Sequence, residues 1–200
     1  DLQAVGVLKY CCRIADKKRS EDELRFQENI DLIKETTRHT KDLVVRAYIL
    51  SADGLLPASG NTDGGMFVVS RVEKSDRSSQ HTIWDSGNVR SHTNHPQFHK
   101  CHAFSDCSFP GQCTLDIAIW QQSTTRQTGE HELVGRTRID LEDRWFLERF
   151  QDMVKGDLVP IESRVLQRWH SGFGKGHLRV WVDILTQQQA QGRPTAPLPS

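Results

Sequence analysis

Two shortages shape the reading of this 200-residue chain. Net charge is missing: 26 Lys and Arg are matched by 26 Asp and Glu, so no global field draws the molecule onto nucleic acid or an anionic membrane. Long apolar runs are missing too. None approaches the ~20 residues of a membrane-spanning helix, and the hydrophobic fraction of 36% suffices for one core of single-domain size. Cysteine is sparse and odd in number, at Cys11, Cys12, Cys101, Cys107 and Cys113. A disulfide framework wants an even set in a small secreted chain, so these are read as reduced thiols of a cytosolic domain. The chain starts at Asp1 with no initiator Met and no basic-then-apolar leader, and is read as a piece of something longer.

What is present is mostly β-texture. VGVLKYCCRI (Val5 to Ile14) reads as a strand. A charged stretch follows, in which Ser20 and Glu23 fit a capping box and Phe26, Ile30 and Ile33 recur at helical spacing, predicting a helix over about 21–36. After Leu43 come LVVRAYIL (Leu43–Leu50), MFVVSRV (Met66–Val72), HTIWD (His81–Asp85), FHKCHAF (Phe98–Phe104), LDIAIW (Leu115–Trp120), ELVGRTRIDL (Glu132–Leu141) and a short extended VPIES. HLRVWVDIL (His177–Leu185) alternates most cleanly, placing Leu178, Val180, Val182 and Ile184 on one face and His177, Arg179, Trp181 and Asp183 on the other. Polar Gly/Pro-rich turns separate the strands, so an antiparallel β-sandwich is expected. Trp145, Phe146, Leu147 and Phe150 suggest a short helix at a sheet edge. Residues 186–200, rich in Gln and Pro, have too little apolar content to pack and are read as a disordered linker.

The motifs resemble a C2 domain, and more narrowly one of the later domains of the ferlin family. TNHPQF (Thr93–Phe98) resembles the family's T-x-N-P-x-F, with His95 where Asn is usual. LVGRTRIDLEDRWFLERF (Leu133–Phe150) is similar to the run V-G-E-T-x-I-D-L-E-N-R-F, and VPIESRVL (Val159–Leu166) to P-I-E-x-R-T-L. HLRVWVDIL resembles the closing I-x-L-W-V-D-I strand, and GVLKYCCRI a G-x-x-K-G-x-F-R-I strand that precedes one of the later ferlin domains. The resemblance runs from residue 5 to 185. It implies an all-β, eight-stranded antiparallel C2 β-sandwich over 43–185. Residues 1–42 would add an extra N-terminal strand and a short helical or charged connector packed on the domain. It also implies a module of a large membrane-trafficking protein at the cytosolic face of membranes or vesicles, anchored elsewhere in the parent chain. Its partners would be other domains of that chain, anionic phospholipid or trafficking proteins, with no nucleic acid.

The resemblance sharpens one question. Calcium takes about six to eight oxygen ligands, several of them anionic. In the family pattern, two Asp come from a first loop and two or three more from a later one. Aligning Phe67–Val69 with the family strand puts Ser59 and Gly65 at the first pair, while Gln121 and Ser123 replace the later pair and Glu132 keeps the third acidic position. One carboxylate in register is too few, so no calcium site and no other cofactor is expected. The alternative is a calcium-dependent phospholipid-binding site assembled from Asp63, Glu130 and Glu132, with Asp53 also within the loop sequence.

Other chemistry is weaker. His92, His95, His99 and His102 crowd around Cys101, but no second pair at zinc-ligand spacing closes a tetrahedron. No nucleophile elbow, phosphate loop or metalloprotease motif is present, so no enzyme is expected. Leu55 and Leu56 begin the first top loop and, with Arg71, Lys74, Arg77 and Arg90, offer a modest lipid or partner surface, although the Leu after A-x-G in this motif is more often a core plug.

Overall fold

The computed structural model describes residues 41–56, 64–73, 80–87, 93–109, 113–122, 131–146, 160–168, 174–193 and 195. The chain divides into two compact units, Asp1–Thr36 and Thr37–Ser200, and the described residues belong to the second. The expected strand Val5–Ile14 and the helix over 21–36 lie outside them, as do Leu147 and Phe150.

Eight strands follow in order: β1 (Lys41–Asp53), β2 (Met66–Glu73), β3 (Gln80–Trp84), β4 (Gln97–Phe109), β5 (Thr114–Gln121), β6 (Glu132–Asp140), β7 (Glu162–Gln167) and β8 (Gly174–Thr186), with short helices α1 (Leu141–Phe146) and α2 (Gln187–Gly192). Their hydrogen-bonded order is β3-β2-β5-β6-β7-β8-β1-β4. Every pairing is antiparallel. Among the described residues β6 and β7 pair only at Arg136 opposite Gln167, and the ladder folds there into two facing four-stranded sheets. The closing strand β8 lies beside β1 from Thr186 opposite Leu43 to His177 opposite Asp53.

Period-two patterning fills the space between the sheets. Leu43, Val45, Ala47 and Ile49 of β1 are buried there with Leu178, Val180 and Val182 of β8, and Leu115, Ile117 and Ile119 of β5. The opposite face of β8 is not simply solvated: Trp181 stacks on Tyr48 with centroids 4.1 Å apart and planes 17° from parallel. That pair, with Leu50, makes a second buried cluster against which Cys101 packs.

Three sequence expectations are corrected. First, β4 does not end at Phe104 but runs to Phe109. A bulge makes this workable: Val45 faces Phe104 and Leu43 faces Cys107, so β4 carries two residues against one on β1. The extra residue switches inward positions from even to odd numbers, and Cys107 and Phe109 join Phe98 and Phe104 in the core. A second bulge, between Ser51–Gln97 and Ile49–Lys100, holds His99 at φ 49°, left-handed backbone that His tolerates better than most side chains.

Second, the short helix begins at Leu141 rather than near Trp145. Asp140 ends β6 and accepts hydrogen bonds from the N–H groups of Glu142 (3.0 Å) and Asp143 (3.2 Å), an N-cap that turns strand into helix. Third, the chain after Thr186 is not wholly linker, since 187–192 is helical. Thr186 Oγ1 accepts from Gln189 N while Gln189 Oε1 accepts from Thr186 N. Arg46 donates to the carbonyls of Ala190 (2.9 Å) and Arg193 (2.8 Å). Polar capping, not apolar burial, holds this helix, and reading composition for apolar content misses it.

Candidate functional site

At one end of the sandwich the TNHPQF motif is fastened to the end of β1. Ala52 N donates to Pro96 O (3.0 Å) and Leu55 N to Asn94 O (3.2 Å). Thr93 Oγ1 accepts from His95 N at 3.0 Å, and His95 Nδ1 lies 3.2 Å from Asp53 Oδ1. Gly54, at φ 66°, makes the turn out of β1. Gly176 of β8 lies against it: a Cβ there would stand 2.5 Å from Asp53 O. This turn sends Leu55 into the core at 0% exposure and leaves Leu56 56% exposed. Leu55 is therefore the core plug that the A-x-G context suggested and drops out of the candidate surface, and Leu56 of the pair is open to a partner.

The described loop positions of the sequence argument converge here. Gly64 and Gly65 enter β2 beside the end of β5, where Gln122 N donates to Gly65 O at 2.8 Å. Gln121 is buried at 5% exposure, and its Nε2 donates to Gly64 O at 3.3 Å. The fit is tight enough that a Cβ on Gly64 would stand 2.3 Å from Gln122 O. Gln121 pairs across to Glu132 in the β5–β6 register, and Glu132 Oε1 lies 3.5 Å from Arg168 Nη1. Three register positions thus supply one carboxylate, already ion-paired, where calcium takes about six to eight oxygens. Asp53 faces His95 and Asp85 sits 3.6 Å from Lys100 Nζ. No group of three His, Cys, Asp or Glu is placed to hold a metal among the described residues. Ser59, Asp63, Ser123 and Glu130 lie outside them, as do Lys74, Arg77 and Arg90.

Outer faces of β2, β3, β5 and β6 carry a surface the sequence reading did not assemble. Trp84 is 57% exposed and lies 6.3 Å from the Trp120 ring and 6.4 Å from Phe67. The two tryptophans, with Val69, Ala118 and Leu133, line a groove of about 410 Å³, closed at one end by Arg71, Asp116 and Arg136. Asp116 is only 4% exposed, and its Oδ2 lies 3.2 Å from Arg138 Nε and 3.7 Å from both Arg71 and Arg136. Glu73 pairs with Arg71 and, at 4.0 Å, with Arg138. Arg71, one of the residues expected to form a modest basic surface, is tied into this network. Burial pulls the Arg136 guanidinium below its ordinary pKa, and neighbouring Asp116 opposes that shift. Period-two reading already puts Asp116, Ala118 and Trp120 on one face of β5; the cross-strand register that brings Trp84 and three arginines to them is not in any single segment.

The histidine cluster does not converge. His102 points between the sheets, with Nδ1 2.9 Å from Ser70 Oγ, and burial lowers its pKa from 6.5, partly opposed by Asp85. Cys101 packs on the other face against the Tyr48–Trp181 cluster, where burial raises its thiol pKa. His95 is held at Asp53, while His92 is outside the described residues. None of Cys101, Cys107 and Cys113 forms a disulfide.

Comparison with known proteins places this geometry in context. A family model described as the C2 domain matches residues 43–156. The chain is similar to Ferlin 1 of Toxoplasma gondii, 31% identical over 204 residues, covering 99% of this chain and 14% of that protein. Ferlin 2 of the same organism is 26% identical over 188 residues, covering 93% and 12% respectively. The chain therefore spans about a seventh to an eighth of the length of these curated relatives. Among solved structures, a C2 domain of plant extended synaptotagmin 1 superposes with a TM-score of 0.50 at 16% identity, covering 72% of this chain and 94% of that one. That likeness shows a shared fold.

Proposed function

The chain belongs to the C2 domain family and is ferlin-like in sequence, and from that premise we propose that it is a calcium-independent module of a membrane-trafficking protein. In this reading it supports vesicle docking, fusion or regulated secretion through protein contacts or weak phospholipid contact. The observation that carries it is Gln121, a buried amide bonded to the Gly64 carbonyl where an anionic ligand would be needed. A neutral amide committed to the backbone replaces the charge that offsets calcium dehydration. A calcium-dependent reading needs Asp63 and Glu130 to converge on Glu132, whose carboxylate already faces Arg168.

Contact surfaces are available without a metal. Leu56 is exposed at the loop end, and Trp84 presents apolar area beside Arg71 and Arg136 at the aromatic groove, a pairing suited to interfacial lipid or to a protein hot spot. No described helix is long and apolar enough to cross a membrane. We place the module at the cytosolic face of membranes, held there by other parts of the parent protein, and assign it no reaction. Calorimetric titration with calcium tests the reading: no heat of binding up to about millimolar calcium is expected, since an affinity in the sensor range needs several anionic ligands. Saturable heat below that level overturns it. Sedimentation with anionic liposomes, with and without chelator, then separates lipid contact from a protein-facing role; binding abolished by chelator would also refute calcium independence.

A further inference from the structure

The seam between the two sheets holds a second feature, separate from the loop end. Gly135 lets β6 and β7 touch, since a Cβ there would stand 2.9 Å from Leu166 Cβ. No other described residues of the two strands pair in register. A cleft of about 830 Å³ opens between Arg136, Thr137 and Arg138 of β6 and Ser163, Arg164 and Arg168 on the β7 side. Among the described residues its lining contains four arginines and no Asp or Glu, and Arg136 also lines the aromatic groove.

These guanidiniums are held in place before any ligand arrives. Arg164 bridges the seam, donating from Nε to Thr137 Oγ1 (3.2 Å), from Nη2 to Arg138 O (2.9 Å) and from Nη1 to Glu162 Oε2 (3.1 Å). Arg138 is held by Asp116 and Arg168 by Glu132. The carboxylates that hold them stand outside the described lining. Arg71, Arg136, Arg138, Arg144, Arg164 and Arg168 share Glu73, Asp116, Glu132 and Glu162.

We propose that this seam cleft binds a phosphate-monoester dianion, carried on a small soluble ester or on a lipid headgroup. A planar guanidinium fork matches phosphate oxygens two at a time. Arginines already held by the fold lose less freedom on binding than free surface lysines would. Ser163 adds a hydroxyl donor at the wall, and the volume leaves room for the alcohol part of the ester beside exposed Val165.

The test uses the whole chain with two probes of one chemistry. Glycerol phosphate is titrated by calorimetry, and phosphatidylcholine vesicles with and without phosphatidic acid are used in sedimentation. At least one probe should bind. Arg168→Gln and Arg138→Gln should each weaken that binding about tenfold, as expected for losing a charge-assisted hydrogen bond, and Arg168→Lys should weaken it less. Arg193→Gln, at the exposed end of α2, controls for general charge and should leave binding unchanged. Binding of glycerol phosphate alone assigns a free ester, and binding of phosphatidic acid vesicles alone assigns the headgroup. Failure of both probes, or equal losses from Arg193→Gln and Arg168→Gln in folded variants, overturns the proposal. None of these outcomes depends on the response to calcium.

Discussion

Replacing Asp116 by Asn keeps the shape of the side chain and removes one buried charge. The carboxylate is 4% exposed and stands 3.2, 3.7 and 3.7 Å from three guanidiniums. At an effective dielectric of about 20, each contact is worth roughly 4–5 kcal/mol gross, most of it cancelled by the cost of taking the charges out of water. Removing one partner of a fully buried pair costs about 3–5 kcal/mol. Here the arginines are 19–49% exposed and can turn toward water, which reduces the expected loss to about 2–3 kcal/mol. For a domain of this size that lowers Tm by roughly 5–10 °C. Denaturant unfolding of wild type, D116N, R138Q and the double variant provides the assay. The cycle should return a coupling of about 1 kcal/mol between the two sites. A D116N loss below about 0.5 kcal/mol, the range of an ordinary surface substitution, would refute the view that this carboxylate organises the arginine cluster.

Two further outcomes follow from burial. His102 is kept neutral between the sheets, with its pKa lowered from 6.5 by burial and only partly restored by Asp85. A folded-state pKa below the unfolded one means that stability is fully present above about pH 6.5 and falls as the pH drops below it. Thermal unfolding measured from pH 8 to 5 should show that slope, and His102→Gln should flatten it; an unchanged slope rules out His102 as its source. At the loop end, Leu55→Ala should cost about 2–5 kcal/mol as a core cavity. Its neighbour Leu56→Ala should change stability by less than about 0.5 kcal/mol while reducing liposome sedimentation if the tip touches lipid. Equal stability losses from both would contradict the turn at Gly54 that separates them.

Much of the fold is legible because a strand declares its buried face locally. Alternation in HLRVWVDIL names Leu178, Val180 and Val182 as core, and they are buried. Errors cluster where one residue breaks the period. The bulges of β4 move Cys107 and Phe109 inward against simple alternation. Capping does the same for helices: Asp140 starts α1 earlier than its aromatic residues suggest, and Thr186 with Gln189 builds a helix from a polar stretch. At the loop end, substitution of Asp by Gly65 and Gln121 is visible in sequence alone. That Gln121 turns its amide onto Gly64 O, and that Leu55 and Leu56 part company, depends on backbone geometry.

The sequence by itself determined the β class, the strand set between Leu43 and Leu185, the resemblance to the family and the poverty of carboxylates at the register positions. All of these are properties of residues near one another along the chain. Tertiary structure decided which strands become neighbours, and therefore that Asp116 gathers Arg71, Arg136 and Arg138, and that Arg164 reaches across the seam to Thr137. Those contacts join segments as far as 45 positions apart, from Arg71 to Asp116. Side chains so distant meet only when a whole sheet is assembled, because cross-strand register, unlike facing, is fixed by the partner strand and its bulges.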